Sequence, residues 1–306
     1  MQYIIVIDGG PAGMTAAMYA LRNGKSVLAL EKHGFGGQIT YSPKVENWPG
    51  TAQMSGNEYA DAFLDQIMAQ GAEVDLAEAV RVEDHGDYKT VITDDGQQRD
   101  ARAVIIATGV KHRMLGLPGE NELVGEGISF CAVCDGDFYS GQTVCVAGGG
   151  NSALQEAILL AGKCARVIML QDLPAFTGEK KLQDILFARE NVEKRTGVKI
   201  TGLNTENGVL KGVTIEPQQG GAAEQVACDG LFVAIGLIPE NEAFRDLADL
   251  NGWGYFDSDE KCETKTPGIF VAGDCRSKSV RQLTTAAADG AVAALAACRY
   301  IDSMTV

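Results

Sequence analysis

A glycine-rich turn that joins a short apolar strand to an alanine-rich helix occurs twice in this 306-residue sequence, and this repeat constrains the fold more than any other feature. The first copy runs through residues 3–22 and the second through residues 143–161. A further apolar strand follows each copy, at residues 26–31 and 166–170. Glycines in such a turn let the backbone approach a pyrophosphate at the N-terminus of the helix. The sequence therefore predicts an α/β fold with two Rossmann-like dinucleotide-binding domains.

The two copies also predict that one domain is inserted into the other. The first fold resumes after the second copy, in an apolar strand within residues 266–274 and an alanine-rich helix from residue 281 to 300. We therefore expect an outer domain formed by residues 1–115 and 239–306, and a smaller inserted domain formed by residues 116–238. The two adjacent crossings between them would form a hinge.

The first turn departs from the usual glycine pattern at one position. Asp8 stands where the first glycine is expected, and a carboxylate is unfavourable beside a pyrophosphate. We predict that the native protein binds its dinucleotide more weakly than an Asp8→Gly variant. Glu31, which lies 18 residues after Gly13, is expected to accept hydrogen bonds from a ribose. The turn residues expected at the cofactor are Gly9, Gly10, Pro11, Ala12 and Gly13.

A Cys-x-x-Cys motif, Cys131 and Cys134, lies between the two glycine-rich turns and is followed directly by Asp135. At the start of a helix this spacing brings both sulfur atoms to one side, where they can form a redox-active disulfide. A zinc site would need a second pair of ligands, and the remaining cysteines and histidines stand singly, so we expect no metal. The single cysteines are expected to pack rather than react: Cys145, Cys164, Cys228, Cys262, Cys275 and Cys298.

Composition limits the surroundings in which the chain works. The formal net charge of −15 argues against nucleic acid as a partner, because phosphate binding needs a basic surface. No apolar run approaches the roughly 20 residues that span a bilayer. The start is too short and too uncharged for a signal peptide, so we expect a cytoplasmic protein without a membrane association.

Eight segments, in their order and spacing, resemble the low-molecular-weight thioredoxin reductases over essentially the whole chain. The resemblance implies one FAD for each chain, a thioredoxin or thioredoxin-like protein as the substrate, and a homodimer. The segments are GGPAG (9–13), GGQIT (36–40), VENWPG (45–50), IIATG (105–109), CAVCDG (131–136), GGGNSALQEA (148–157), VAGDCR (271–276) and RQLTTAAADG (281–290).

The resemblance also implies roles for individual residues. Cys134 would face the flavin, Cys131 would attack the disulfide of thioredoxin, and Asp135 would be the acid-base group. Asp274 would bind the ribityl chain of FAD. The other residues that would lie along the cofactor are Lys32, Gly36, Gly37, Gln38, Asn47, Thr108, Gly109, Gly273, Arg281, Gln282 and Leu283.

The electron donor is where the sequence departs from the enzymes that use NADPH. Those relatives carry a His-Arg-Arg-x-x-x-Arg run that binds the 2′-phosphate, and it falls here on Gln171, Asp172, Leu173 and Thr177. We therefore expect reduced ferredoxin as the donor, as in the ferredoxin-dependent flavin thioredoxin reductases. A basic docking patch for it would come from residues 111–113, or from residues 180–181 with residues 194–195.

Three alternatives remain open. Asp172 lies 19 residues after Ala153, near the position at which an acidic residue would bind the 2′-hydroxyl of NADH. A dithiol oxidase of the same fold would pass electrons to oxygen, although such relatives tend to replace the acid that Asp135 supplies. A flavin-holding scaffold or redox sensor without enzymatic activity is the third alternative.

Overall fold

The computed structural model describes residues 2–42 and 44–304. The chain forms two compact units, an outer unit with the residues up to Lys111 and from Ile238 onward, and an inserted unit, His112–Leu237. The sequence prediction had placed these limits at residues 115 and 238. Within the described part of the chain, no helix is long and apolar enough to cross a membrane.

The outer unit is an open sheet covered by helices. Its strands lie in the order β3-β2-β1-β6-β5-β4, and β17 pairs with β6. Strands β1, β2, β3, β6 and β17 pair in parallel, whereas β4 and β5 form an antiparallel extension. Numbered along the chain, its elements are β1 Gln2–Ile7, α1 Pro11–Arg22, β2 Val27–Glu31, α2 Gly56–Ala69, β3 Glu73–Leu76, β4 Ala79–Asp84, β5 Lys89–Thr93, β6 Gln98–Ile106, β17 Ile269–Val271 and α6 Leu283–Ser303.

Small residues bring α1 and α6 close together on one face of this sheet. A Cβ at Gly290 of α6 would overlap the carbonyl oxygen of Ala12 in α1, so this position accepts no side chain. Alternate residues of β1 point to opposite faces: Ile4 and Val6 pack under these helices, and Ile5 and Ile7 pack in the core on the other face. The first glycine turn therefore follows β1, a strand that is buried on both faces, as expected of a parallel sheet.

The inserted unit combines a parallel sheet in the order β11-β10-β9-β15-β8 with an antiparallel sheet in the order β12-β13-β14. Val144 and Val146 of β9 pack with α4, and Cys145 and Ala147 face the other core. The elements of this unit are β8 Ile128–Ser129, α3 Ala132–Asp135, β9 Thr143–Ala147, α4 Asn151–Ala161, β10 Arg166–Gln171, α5 Lys180–Phe187, β11 Val192–Thr196, β12 Val198–Glu206, β13 Val209–Pro217, β14 Glu224–Ala227 and β15 Gly230–Val233; β7 Lys111–His112 and β16 Leu237–Ile238 mark the two crossings.

The strand-turn-helix units lie where the sequence predicts them, and the main differences are at the C-terminal end of the chain. The predicted strand within residues 266–274 is reduced to Ile269–Val271, because Gly268 has φ +84° and ends the preceding turn. The last helix begins at Leu283 rather than at residue 281, because Gln282 caps its N-terminus and exchanges hydrogen bonds with Thr285.

Candidate active site

The first glycine turn has both packed and open positions. A Cβ at Gly9 would overlap the ring of Phe35, and a Cβ at Gly13 would overlap the carbonyl oxygen of Asp8. A Cβ at Gly10 would meet nothing within 4 Å. Gly10 is the N-cap of α1, Pro11 follows it, and no side chain caps the helix. The first amides of α1 therefore remain free to bind an anionic group.

A half-buried Asp8 and a buried Glu31 form a carboxyl pair beside this turn. One oxygen of Glu31 accepts the N–H of Gly9 at 2.8 Å, and the other accepts the N–H of His33 at 2.9 Å. Asp8 forms a side-chain hydrogen bond with Glu31, and burial together with this neighbour raises the pKa of Asp8 well above its usual value. Burial opposes the shift at Glu31, but hydrogen bonds from Asp8 and from backbone amides lower its pKa. The predicted ribose acceptor therefore already serves the protein's own backbone.

A cleft of about 420 Å³ opens beside Asp8. Lys32 lies in its wall, with its Nζ 2.8 Å from Glu240 and 3.7 Å from Glu78. Glu240 also receives Lys111 at 2.8 Å. The lining includes Ile7, Leu30, Ala77, Val80, Thr108 and Phe244. This mixture of apolar walls and a few charged groups suits a nucleoside.

Asp274 is a second feature of the outer unit that could hold a cofactor. It follows Gly273, whose φ is +82°, and its Oδ1 is buried without a hydrogen-bond partner among the described residues. Burial raises the pKa of Asp274 to about 6, although Lys278 and Arg281 oppose the shift. A buried acceptor without a donor is costly unless a bound group supplies one.

Several of the remaining predicted cofactor residues are in contact with one another or with the first turn. Asn47 donates to Gln282 at 3.2 Å, and the N–H of Gly36 donates to the carbonyl of Gly9 at 2.9 Å. Arg281 donates to the carbonyl of Asp274 at 3.2 Å. Of the others, Gly37 and Gln38 lie in the 3-10 turn Gly37–Tyr41, Gly109 has φ +61°, Leu283 starts α6, and Thr108 Oγ1 donates to Asn241 at 2.9 Å.

The Cys-x-x-Cys motif of the inserted unit is a closed disulfide at the start of α3. Cys131 is the N-cap of this helix, the Cα atoms of Cys131 and Cys134 lie 5.3 Å apart, and Cys131 Sγ accepts the N–H of Cys134 at 3.2 Å. Ser129 Oγ accepts the N–H of Cys131 at 3.1 Å and donates to Asp135 Oδ2 at 2.6 Å. Ser129 therefore couples the backbone of the first cysteine to the predicted acid-base group.

Two half-buried carboxyl groups, each with one fully buried oxygen, lie near this disulfide. Burial raises the pKa of Asp135, and the hydrogen bond from Ser129 opposes the shift. Burial raises the pKa of Glu156, on α4, to about 8, although the N–H of Ala132 donates to it. One oxygen of each carboxyl group has no partner among the residues that the structure describes. Glu156 can therefore hold a proton near neutral pH beside the disulfide, and the pKa of Asp135 is shifted in the same direction.

The six other cysteines are buried and unpaired, as the sequence predicted. Burial raises the pKa of both Cys262 and Cys275 to about 12, so neither is a reactive thiolate near neutral pH. Across residues 2–42 and 44–304, no group of three or more His, Cys, Asp or Glu side chains could hold a metal ion.

The second glycine turn is covered by the segment that follows β10. The carbonyl of Gly149 accepts the N–H groups of Thr177 and Gly178, both at 2.9 Å. Asn151 Oδ1 accepts the N–H of Glu179 at 2.7 Å, and Asn151 Nδ2 donates to the carboxylate of Glu179 at 3.0 Å. The first residue of α4 is thus bonded to an acidic side chain of the chain itself. This contrasts with the open N-terminus of α1.

Gln171 and the glycines of the second turn also pack against the protein. A Cβ at Gly148 would overlap the carbonyl oxygen of Ala234, and a Cβ at Gly149 would lie 2.5 Å from the side-chain amide of Gln171. Gln171 is buried and donates to the carbonyl of Ala175 at 3.3 Å. Close packing alone accounts for these two glycines.

Some of the basic residues in the two predicted patches are paired with acids. Lys180 pairs with Asp184, and Arg195 pairs with Glu193 and Glu224. Nearer the crossing, burial lowers the pKa of His112 to about 4, so this ring is neutral. Three basic residues of the two predicted patches, Lys111, Lys180 and Arg195, are therefore offset by acidic partners.

The described geometry defines a class of protein, the dinucleotide-fold oxidoreductases that carry a redox-active disulfide. Comparisons with known proteins agree. The sequence profile of the pyridine nucleotide-disulphide oxidoreductases matches residues 2–290. The chain is 36% identical over 301 residues to the thioredoxin reductase of Bacillus subtilis strain 168, an alignment covering 98% of this chain and 95% of that protein. It belongs to the low-molecular-weight thioredoxin reductases of that family.

Two further relatives support the assignment. The chain is 39% identical over 301 residues to the "34.2 kDa protein in rubredoxin operon" of Clostridium pasteurianum, covering 97% of this chain and 96% of the relative. The crystal structure of thioredoxin reductase from Streptococcus pyogenes MGAS5005 superposes with a TM-score of 0.93 at 37% identity, with 99% of each chain covered. The family depends on a flavin, which implies FAD.

The outer unit fits this cofactor, with one exception. The unpartnered oxygen of Asp274 can accept hydrogen bonds from ribityl hydroxyl groups, and the uncapped N-terminus of α1 can bind the pyrophosphate. The exception is Asp8, which adds a half-buried carboxyl group beside the expected pyrophosphate.

Some residues that shape the site were not singled out by sequence reasoning. Ser129 and Glu156 flank the disulfide. Glu156 lies within the GGGNSALQEA segment, but the sequence does not show that it contacts the N–H of Ala132. Asn241 binds Thr108 and the carbonyls of Gly254 and Cys275. Asp289 accepts the N–H of Gly273 at 3.1 Å and so holds the turn before Asp274. Their roles depend on contacts between distant parts of the sequence, which no local pattern reveals.

Proposed function

We propose that the protein is a thioredoxin-disulfide reductase that passes electrons through FAD and the Cys131–Cys134 disulfide to thioredoxin, with reduced ferredoxin rather than NADPH as the donor. The observation that carries the reductase activity is the disulfide at the start of α3 with Asp135 beside it, whose pKa is raised by burial of its carboxyl group. The names of the Bacillus subtilis and Streptococcus pyogenes relatives favour thioredoxin as the substrate.

The overall reaction balances with a one-electron donor. Two reduced ferredoxins give one electron each, two protons are taken up, and the disulfide of thioredoxin becomes a dithiol. When bound, FAD supplies the site at which single electrons are collected into a pair. The protein's own disulfide is reduced by that pair and then reduces thioredoxin by thiol-disulfide exchange.

In the exchange, we assign the attack to Cys131 and the contact with the flavin to Cys134. Attack by the Cys131 thiolate on thioredoxin forms a mixed disulfide and releases one thioredoxin thiolate. Attack by Cys134 then re-forms the Cys131–Cys134 disulfide and releases the second. Asp135 holds a proton for a leaving sulfur, and Ser129 keeps its carboxyl group oriented at 2.6 Å.

The preference for ferredoxin rests on the second glycine turn. A pyridine nucleotide would place its pyrophosphate at the N-terminus of α4, where Asn151 is bonded to Glu179. Binding would have to displace these contacts and overcome the repulsion of a carboxylate. Gln171, Asp172, Leu173 and Thr177 also offer no guanidinium for a 2′-phosphate.

NADH is the principal alternative, because Asp172 could accept hydrogen bonds from a 2′-hydroxyl group. It faces the same obstacle at Glu179. A dithiol oxidase and a flavin redox sensor are less favoured, since Asp135 is retained beside a complete disulfide. We also propose a homodimer with one FAD in each chain, by analogy with the family.

Reduction of thioredoxin by reduced ferredoxin under anaerobic conditions tests the function. We expect the native protein to generate two thiols per thioredoxin, and Cys131→Ser and Cys134→Ser to abolish this. Cys164→Ala, at a buried unpaired cysteine of the same unit, is the matched control and should remain active. Unchanged activity in Cys134→Ser would contradict the proposed route.

A further inference from the structure

We propose that Asp8 makes cofactor binding depend on pH: the outer unit holds the ribose and pyrophosphate of FAD tightly while the Asp8 carboxyl carries a proton, and weakly after the proton is lost. The inference rests on the proposed function only in taking FAD as the ligand.

The backbone marks Asp8 as an unusual choice for its position. Its φ is +83°, in the left-handed region where glycine is favoured, and it stands at the end of β1. The first glycine of a dinucleotide turn normally occupies this place. A residue with a side chain here is strained, so a carboxyl group at Asp8 needs a specific interaction to be tolerated.

Glu31 supplies that interaction. It accepts the backbone N–H groups of Gly9 and His33, so its carboxylate is held at the end of β2, with the Asp8 carboxyl hydrogen-bonded to it. A hydrogen bond between two carboxyl groups requires a proton on one of them. Glu31 accepts backbone hydrogen bonds from Gly9, His33 and Gly34, whereas Asp8 has only that of Gly9, so the proton belongs to Asp8.

Positive charge near the pair is limited. Lys32 is the cation that faces Asp8, and it is shared with Glu78 and Glu240. Lys111 is also held by Glu240. Glu242, which lines the same cleft, pairs with Arg245. Ionised Asp8 would therefore add a negative charge to a pocket whose lysine is already neutralised.

A dinucleotide accentuates this effect. Its pyrophosphate brings two negative charges to the turn that begins at Asp8. Neutral Asp8 tolerates these charges, and ionised Asp8 repels them. The bound state therefore holds the Asp8 proton more tightly than the free protein does. By linkage, affinity falls as pH rises from the pKa of Asp8 in the free protein to its pKa in the complex, by up to about tenfold for each pH unit.

The test is the dissociation constant of FAD for the refolded or flavin-stripped protein, followed by flavin fluorescence from about pH 7 to about pH 9.5, a range above the pKa of about 6 of Asp274. Native protein should lose affinity with rising pH by up to about tenfold per unit. Asp8→Asn, which keeps the shape but cannot ionise, should give an almost flat profile. Asp8→Gly should also be flat and should bind more tightly than Asp8→Asn.

A native profile as flat as that of Asp8→Asn would overturn the proposal, and so would a fall in affinity that persists in Asp8→Asn. Native protein that binds no FAD at any pH while Asp8→Gly does would also overturn it, because Asp8 would then exclude the cofactor outright. Calorimetry with ADP, which has a ribose and pyrophosphate but no flavin, should repeat the native pH dependence. Thioredoxin reduction by the FAD-saturated Asp8→Gly variant reports separately on the proposed function.

Discussion

Removing the hydroxyl group of Ser129 should raise the pKa of Asp135. Ser129 Oγ donates to the Asp135 carboxylate at 2.6 Å and so stabilises its ionised form. A hydrogen bond to a charged group contributes about 1.5–3 kcal/mol, and one pKa unit corresponds to about 1.4 kcal/mol. Ser129→Ala should therefore raise the pKa of Asp135 by about 1–2 units.

The direct assay is a ¹³C NMR titration of the aspartate carboxyl groups, with Asp135→Asn identifying the signal. If Asp135 is the acid in the exchange, the high-pH limb of thioredoxin reduction should move upward by the same amount. The variant also leaves the N–H of Cys131 without its acceptor, which should lower the free energy of unfolding by about 1–3 kcal/mol.

Ser140→Ala is the matched control, because Ser140 is exposed in the same unit. It should leave the titration of Asp135 unchanged. A pKa of Asp135 that is unchanged or lower in Ser129→Ala would refute the reasoning. A raised pKa without any shift of the activity profile would show that Asp135 is not the acid-base group.

Three further substitutions test other parts of the site. Gly13→Ala should destabilise the protein by about 3 kcal/mol or prevent folding, because its Cβ would overlap the carbonyl oxygen of Asp8. Gly10→Ala should retain stability, because its Cβ would meet nothing within 4 Å. Chemical denaturation of both variants tests this, and equal losses of stability would contradict the packing argument. Because burial raises the pKa of Asp274 to about 6 in the folded state, the flavin-free protein should lose up to about 3 kcal/mol of stability as pH rises from about 4 through 6, and Asp274→Asn should lack this loss in thermal unfolding. Glu156→Gln should remove a group that titrates at about 8 from the pH profile of thioredoxin reduction, and an unchanged profile would exclude Glu156 from the exchange.

Local sequence patterns predicted the fold well because its main signals are local. Each strand-turn-helix unit carries its own apolar run, glycines and helix, so residues 11–22 and 151–161 could be assigned without knowledge of their neighbours. The Cys-x-x-Cys motif was similarly self-contained, since its geometry requires only the start of one helix.

The electrostatics of the site could not be predicted in the same way. Asp8 and Glu31 are 23 positions apart, and only the pairing of β1 with β2 makes them neighbours. The second glycine turn is covered because Thr177, 28 positions after Gly149, donates a hydrogen bond to the Gly149 carbonyl. Arg195, in one of the basic segments identified from sequence, pairs with Glu224, a partner 29 positions away that the local sequence does not reveal.

The most direct test of the account is anaerobic bleaching of the bound flavin by NADPH, NADH and reduced ferredoxin, measured in parallel by stopped flow with thioredoxin present. The account predicts rapid bleaching by ferredoxin and negligible bleaching by either nucleotide, including in Glu179→Gln, which removes the charge but keeps the cover over the second turn. Rapid bleaching by NADPH or NADH would contradict the proposal that ferredoxin is the donor. It would show that the inserted unit binds a pyridine nucleotide.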